Sequence, residues 1–402
     1  MLSKVNRFVF VACLVLSMAA SNVWGALAVD EAIDVLANRL DESQEKEGGN
    51  KGLWLPEVLF AGPPAAGMAL AYELTADPGY WDAAELAGYY ILWFTDVQGN
   101  LLGDEVYAFV ELSQNSEDPA DNVWRAALEE WFYSMRRPGY EEFTRDYIQY
   151  FNDMEASTAV FYIAQQMIGA YYVDDVDKEV WHEALIQFLS RVDDESTYPV
   201  MALGVATWAF ASTNTLDATP MDGDASSTPY WAGLVVSDLP ALLATHQVPL
   251  GDEFGGSFYW RYDHTAGDTE GVVAGYTEDA IYGTLGLVAA AQASEMADVN
   301  TPVEGEEKSD AAVSAIDFDS MILTARGALL QGVDEEGVVY EHLSRVGDAR
   351  YAYAGEMLQV LCRVKQYLDA KVEEGGLGVT VVDSGLEETP SGGAKPPTGE
   401  PL

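Results

Sequence analysis

Two acidic pairs and one aromatic cluster hold most of the chemistry legible in this chain. The segment Gly256-Ser-Phe-Tyr-Trp-Arg-Tyr-Asp-His264 is followed by Gly275-Tyr-Thr-Glu-Asp279, so Trp260, Arg261, Tyr262, Asp263, His264, Tyr276, Glu278 and Asp279 fall within about twenty residues. Aromatic rings stack on the apolar face of a sugar while carboxylates bind its hydroxyls, a mixture suited to a glycan or another small neutral ligand. Hydrolysing a glycosidic bond takes two carboxyl groups on opposite sides of it, one a proton donor and one a base or nucleophile. Glu278 or Asp279 facing Asp104 or Glu105 would supply them. Elimination would instead pair a base, His264 or Tyr276, with Arg261 to neutralise a uronate carboxylate. Tyr198 and Tyr282 would add phenols to the same site. Alternation of Phe258, Trp260 and Tyr262 with Tyr259, Arg261 and Asp263 also predicts a short strand with one packed face, and as a structural plug that strand needs no ligand.

Charge discriminates among these chemistries. The chain has 402 residues with 66 acids against 20 Lys and Arg, a net charge of −46. Nucleic acid is excluded as a partner, because phosphate binding is driven by Lys and Arg, and anionic membranes are disfavoured for the same reason. The pair Arg136-Arg137 is the one basic cluster, so a polyuronate would be repelled and a neutral glycan is expected. Bound Ca²⁺ would reverse that preference, and no other cofactor is called for. With 49% hydrophobic and 11% aromatic residues, the acid belongs on the surface of a folded body. His-Glu-x-x-His, Gly-x-Ser-x-Gly, a Gly-rich phosphate loop and Cys-x-x-Cys are all missing from the sequence. His182 is expected on the solvent side of an amphipathic helix; His246 and His342 sit near hairpin ends, too scattered for a metal site.

These residues must be positioned by helices. Residues 1–28 have the Lys4 and Arg7 charges, the apolar run and the small residues of a secretory signal peptide, whose removal would leave a chain two units more negative without a stable membrane span. A secreted, periplasmic or cell-envelope protein is expected. Cys13 would leave with the signal, and Cys362, in an apolar run, reads as a buried hydrophobe. From 29 to 370 two kinds of helix alternate. Amphipathic ones are expected near 30–40, 80–93, 120–136, 178–191, 237–246 and 317–331. Nearly all-apolar ones are expected near 64–74, 104–112, 155–170, 198–211, 277–293 and 351–368. The tail 371–402, rich in Gly, Pro and Ser, is expected to be disordered, and 297–310 to be an acidic surface loop.

Six helical hairpins cannot each bury their own apolar face, so they must stack. The arrangement resembles that of the α/α-toroid proteins, the prenyltransferase and squalene-cyclase-like group and the six-hairpin glycosidase-like group, and covers most of the chain. The resemblance implies an all-α (α/α)6 toroid with apolar helices inside and amphipathic helices outside. The zinc site of prenyltransferases needs a ligand cysteine, and Cys362 inside an apolar helix does not supply one. The nearest string to the cyclase acid motif, Asp174-Asp175-Val176-Asp177, opens an outer helix and reads as an N-cap. In a toroid the starts of the inner helices ring one mouth. Asp104-Glu105, Glu155, Asp194-Glu195, Glu278-Asp279 and Glu356 would gather there with Tyr107, Tyr198, Tyr282 and Tyr353, although acids also cap helix N-termini without any further role. The sequence therefore predicts an exported toroid with a carbohydrate-facing cavity. It would be a glycoside hydrolase or polysaccharide lyase, or a non-catalytic glycan-binding or cell-envelope scaffold.

Overall fold

The computed structural model describes residues 27–98, 100–135, 143–221, 229–263, 274–300 and 316–373. They are mostly helical. Thirteen α-helices occur among them: α1 (Val29–Ser43), α2 (Gly62–Thr75), α3 (Pro78–Gln98), α4 (Gly103–Gln114), α5 (Val123–Ser134), α6 (Phe143–Gln149), α7 (Ala156–Tyr172), α8 (Lys178–Leu189), α9 (Pro199–Ser212), α10 (Leu239–Thr245), α11 (Thr277–Asn300), α12 (Phe318–Gln331) and α13 (Tyr351–Glu373). A two-stranded antiparallel hairpin, β1 (Tyr340–His342) and β2 (Val346–Ala349), leads into α13. All twelve helices expected from periodicity are present; the short α6 is additional.

The two kinds of helix pack differently. Every residue of α9 from Pro199 to Ala211 is buried, as is every residue of α2 from Gly62 to Ala71. By contrast α1 buries only Ala32, Ile33, Leu36, Ala37 and Leu40, one stripe at helical spacing. In α5 the buried set is Trp124, Leu128 and Phe132. That helix is started by Asn122, whose Oδ1 accepts from the Trp124 and Arg125 amides at 3.1 and 2.9 Å.

Contacts among the buried helices form a closed series: α2 packs on α4, α4 on α7, α7 on α9, α9 on α11, α11 on α13 and α13 on α2. Each amphipathic helix lies against two consecutive members of that series: α1 on α13 and α2, α3 on α2 and α4, α5 on α4 and α7, α8 on α7 and α9, α10 on α9 and α11, α12 on α11 and α13. Small residues permit this closeness. A Cβ on Gly204 of α9 would lie 2.6 Å from the backbone carbonyl carbon of Tyr282 in α11.

Three local expectations are corrected. His182 is buried, not on the surface, its ring edge-on to Phe210 at 5.2 Å, because α8 turns this position toward α9. Asp177 makes no capping bond to α8; Asp175 Oδ1 accepts from the Asp177 amide at 2.8 Å, and Asp177 Oδ2 from the Thr144 hydroxyl at 3.2 Å. The acidic string thus shapes the turn and holds α6. The segment 256–263 makes only isolated bridges, Gln247 with Phe258 and Tyr259 with Ala274, instead of a strand. Its alternation survives in part: Phe258 and Tyr262 are buried while Trp260 is half-buried.

Candidate functional site

Acids at the N-terminal ends of the buried helices fall into two classes. Glu155 is a cap: its Oε2 accepts from the Thr158 amide at 3.0 Å and from the Ser157 hydroxyl, and its Oε1 from the Thr197 amide at 3.1 Å. Asp194 Oδ1 accepts from the Tyr262 and Asp263 amides at 2.8 and 3.2 Å, and its other oxygen accepts from the Tyr230 hydroxyl. Glu57, from the loop before α2, caps α13 by accepting from the Tyr351 and Ala352 amides at 2.8 and 2.9 Å. For Glu155 and Glu57 the capping account is complete, and Asp194 is spent on tying down the 262–263 segment.

In the second class burial outweighs the bonds that the carboxyls make. Asp104 and Glu105 open α4, Glu278 and Asp279 open α11, and Glu356 lies in the second turn of α13. Asp104, Glu105, Asp279 and Glu356 are each 5% exposed or less, whereas Glu278 is half-buried. Glu105 Oε2 accepts from the Leu102 amide at 2.8 Å, and Glu356 Oε1 from the Tyr282 hydroxyl at 2.8 Å. Asp104 Oδ1 and Glu356 Oε2 are buried with no hydrogen-bond donor, and Asp279 has only the Met201 backbone amide beside it. Buried polar atoms in that condition are uncommon and need a reason.

Electrostatics tie three helices to one locus. The Tyr162 phenol, from α7, is pushed up to about 12 by burial and then by Asp104, Glu105, Glu278 and Glu356 together. Tyr282 is held well above the usual phenol range by burial, then by Glu356, Glu278 and Asp104. All five carboxyls are raised. Burial pushes Asp104 up to about 6 against two backbone amides, and pushes Glu105 higher still with help from the Asp104 charge. Glu278 is raised to about 7 by burial, with Arg350 opposing and Glu341 assisting. Asp279 and Glu356 go well above the carboxylate range, again through burial first and the Glu278 charge second. Near neutral pH this cluster therefore holds protons, and a neutral carboxylic acid can donate one.

An aromatic group borders the acids. Trp260 Nε1 donates to the Thr197 carbonyl at 2.6 Å, the Trp260 and Tyr276 rings are 5.8 Å apart, and the Arg261 guanidinium lies 4.5 Å from the Trp260 ring centroid. Thr197 adjoins Tyr198, whose phenol is raised by burial and then by Glu278 and Glu341. Tyr276 leads directly into Glu278 and contacts the His342 ring at 5.5 Å.

The sequence-predicted residues thus separate. Asp104, Glu105, Glu278 and Tyr282 come together, with Tyr198, Trp260, Arg261 and Tyr276 beside them, while Asp279 turns toward the Met201 backbone and Tyr262. Tyr262 is a correction: it is 7% exposed, donates to the Pro199 carbonyl at 2.8 Å and packs among Trp231, Tyr230 and His246, so its ring does not face a ligand. Asp263 is exposed at the end of the described segment, and His264 lies outside the described residues. Glu356 and Tyr353, expected only within the general gathering of helix-start acids and phenols, belong to the locus, and so do Tyr162 and Arg350, which were not candidates. A charge within the otherwise apolar run Ala352 to Cys362 is the signal that points to Glu356.

Among the described residues no group of three or more His, Cys, Asp or Glu has an arrangement that could hold a metal ion, and no helix is long and apolar enough to cross a membrane. Comparison with protein-family models, curated proteins and solved structures found no match.

Proposed function

We propose that the closed series of helices is an (α/α)6 toroid, that the chain is exported, and that the mouth at the N-terminal ends of its inner helices handles a neutral glycan. The single observation that carries the reading is the convergence of Asp104 from α4, Glu278 from α11 and Glu356 from α13 on the Tyr162 and Tyr282 phenols, with Asp104 Oδ1 and Glu356 Oε2 lacking donors, beside the half-buried Trp260 and Tyr276. In the hydrolytic form, Glu278, with its midpoint near 7, gives its proton to the leaving glycosidic oxygen. Asp104, with the lower midpoint near 6, takes the proton of the water that attacks the anomeric carbon. Trp260 offers a ring to the sugar face.

One observation favours the rival reading, a glycan-binding protein without cleavage: of the five acids only Glu278 is more than 5% exposed. A two-carboxylate reaction needs the substrate to reach both groups. A panel of neutral and acidic polysaccharides incubated with wild type, Glu278→Gln and Asp104→Asn separates the two. Release of reducing ends that drops at least about a hundredfold in Glu278→Gln supports hydrolysis. Retention on a glycan affinity gel without product supports binding. Neither retention nor product discards the carbohydrate reading altogether. Sequencing the N-terminus of protein recovered from the medium or envelope tests export.

A further inference from the structure

A second feature lies away from the acids. A cavity of about 300 Å³ is bounded by the C-terminal halves of α4, α7 and α9 together with α11 and α13. Tyr107, Trp208 and Tyr282 stand between it and the N-terminal cluster: Tyr107 and Trp208 meet edge-on at 4.6 Å, and Trp208 lies 6.4 Å from Tyr282. A volume of this size lies at the lower end of small-molecule sites.

The lining is built, not incidental. Glu111 is 1% exposed, and one of its oxygens accepts from Arg363 Nη2 at 2.6 Å. The other oxygen, Oε2, is buried with no donor in hydrogen-bond geometry, the Tyr107 phenol lying beside it and Arg363. Arg363 Nη1 is engaged by Gln366 Oε1 at 3.0 Å. Trp208 and Tyr107 supply ring surface, Val110, Leu285 and Val288 supply apolar wall, and the exposed Gln114, Ser212 and Gln292 stand at the opening.

We infer that this cavity is a binding site for a small, neutral, polyhydroxylated molecule, independent of the acidic mouth. Its charges select that class. Glu111 and Arg363 neutralise each other, so no net charge awaits a counter-ion. The last turns of α4, α7 and α9 present the negative ends of their dipoles and disfavour an anion. A cation would sit beside the guanidinium. A hydroxyl can donate to Glu111 Oε2, further hydroxyls can exchange hydrogen bonds with Gln114 and Gln292, and the apolar face of a ring can lie against Trp208. A buried carboxylate oxygen has room for more than the Tyr107 phenol beside it, and a ligand hydroxyl in good geometry supplies the bond that Oε2 lacks.

The test is ligand-observed NMR and calorimetry on the full chain with glucose, galactose, mannose and myo-inositol, and with tetramethylammonium and acetate as charged controls. At least one neutral probe is expected to bind, about tenfold more weakly to Glu111→Gln. Glu278→Gln, which disables the mouth at the other end of the helices, should keep the binding that belongs to this cavity. Adding Ser212→Trp in that background, which fills the opening from an exposed helix end and does not depend on the buried pair for folding, should abolish it. The inference is overturned if no neutral probe binds, if only a charged control binds, or if binding to Glu278→Gln survives the addition of Ser212→Trp.

Discussion

Glu155 and Glu356 both lie near the start of an apolar helix, and in sequence nothing ranks one above the other. Their fates differ by partners. Glu155 ionises readily among a hydroxyl and backbone amides and is held below the usual glutamate range, whereas Glu356 meets one phenol, a desolvated space and the Glu278 charge. The sign of the pH dependence follows. Asp104, Glu105, Glu278, Asp279 and Glu356 all titrate higher folded than unfolded, so between about pH 4 and pH 8 the folded state binds more protons and stability falls as pH rises. Thermal midpoints should be highest near pH 5 and drop toward pH 8. In Glu356→Gln, which keeps an acceptor for the Tyr282 hydroxyl and removes the proton difference, the decline should be shallower, with a midpoint above wild type at pH 8 by about 2 °C or more. A midpoint that rises from pH 5 to pH 8 would contradict the burial of these acids.

Helix pairs set the geometry that these acids occupy, and glycine decides how close they come. Gly204 in α9 faces the backbone of Tyr282 in α11, and neither helix can yield a methyl group's space without moving the other. Gly204→Ala gains helix propensity of about 1 kcal/mol, yet overpacking costs about 1–3 kcal/mol, so net destabilisation is expected in urea unfolding. Gly327, on the exposed side of α12, has nothing within 4 Å of an added Cβ, and Gly327→Ala should stabilise by about 0.5–1 kcal/mol. Substituting Asn122 by Ala removes both amide bonds at the start of α5 and should cost about 1 kcal/mol. Twelve helices were legible because their apolar residues recur at three and four, or fill every position, over long runs. The short α6 was not, since the few residues of Phe143–Gln149 give too little period, and it is held by tertiary contacts such as Thr144 with Asp177. His182 was misplaced for a related reason: a helix resting in the groove between α7 and α9 buries a wider face than one stripe.

At the scale of the whole molecule, a charge of −46 makes self-repulsion a standing load on the folded state. Raising NaCl from about 0.01 M to 1 M at pH 7 shortens the screening length from about 30 Å to about 3 Å, and the thermal midpoint should rise by several degrees; a flat response would mean that ion pairing offsets the acids. Among the described residues, surface pairs such as Arg125 with Glu129 at 3.0 Å offset part of the excess acid. Composition and periodicity, read along the chain, determined that the body is helical, which helices are buried all round, and that most of the acid must face water. Those properties are local sums over neighbouring residues. Which acids find donors, that α13 closes back on α2, and that Glu111 meets Arg363 from 252 positions away were decided only by tertiary structure. A carboxyl's protonation and purpose depend on what surrounds it in space, and side chains far apart in the chain supply those surroundings.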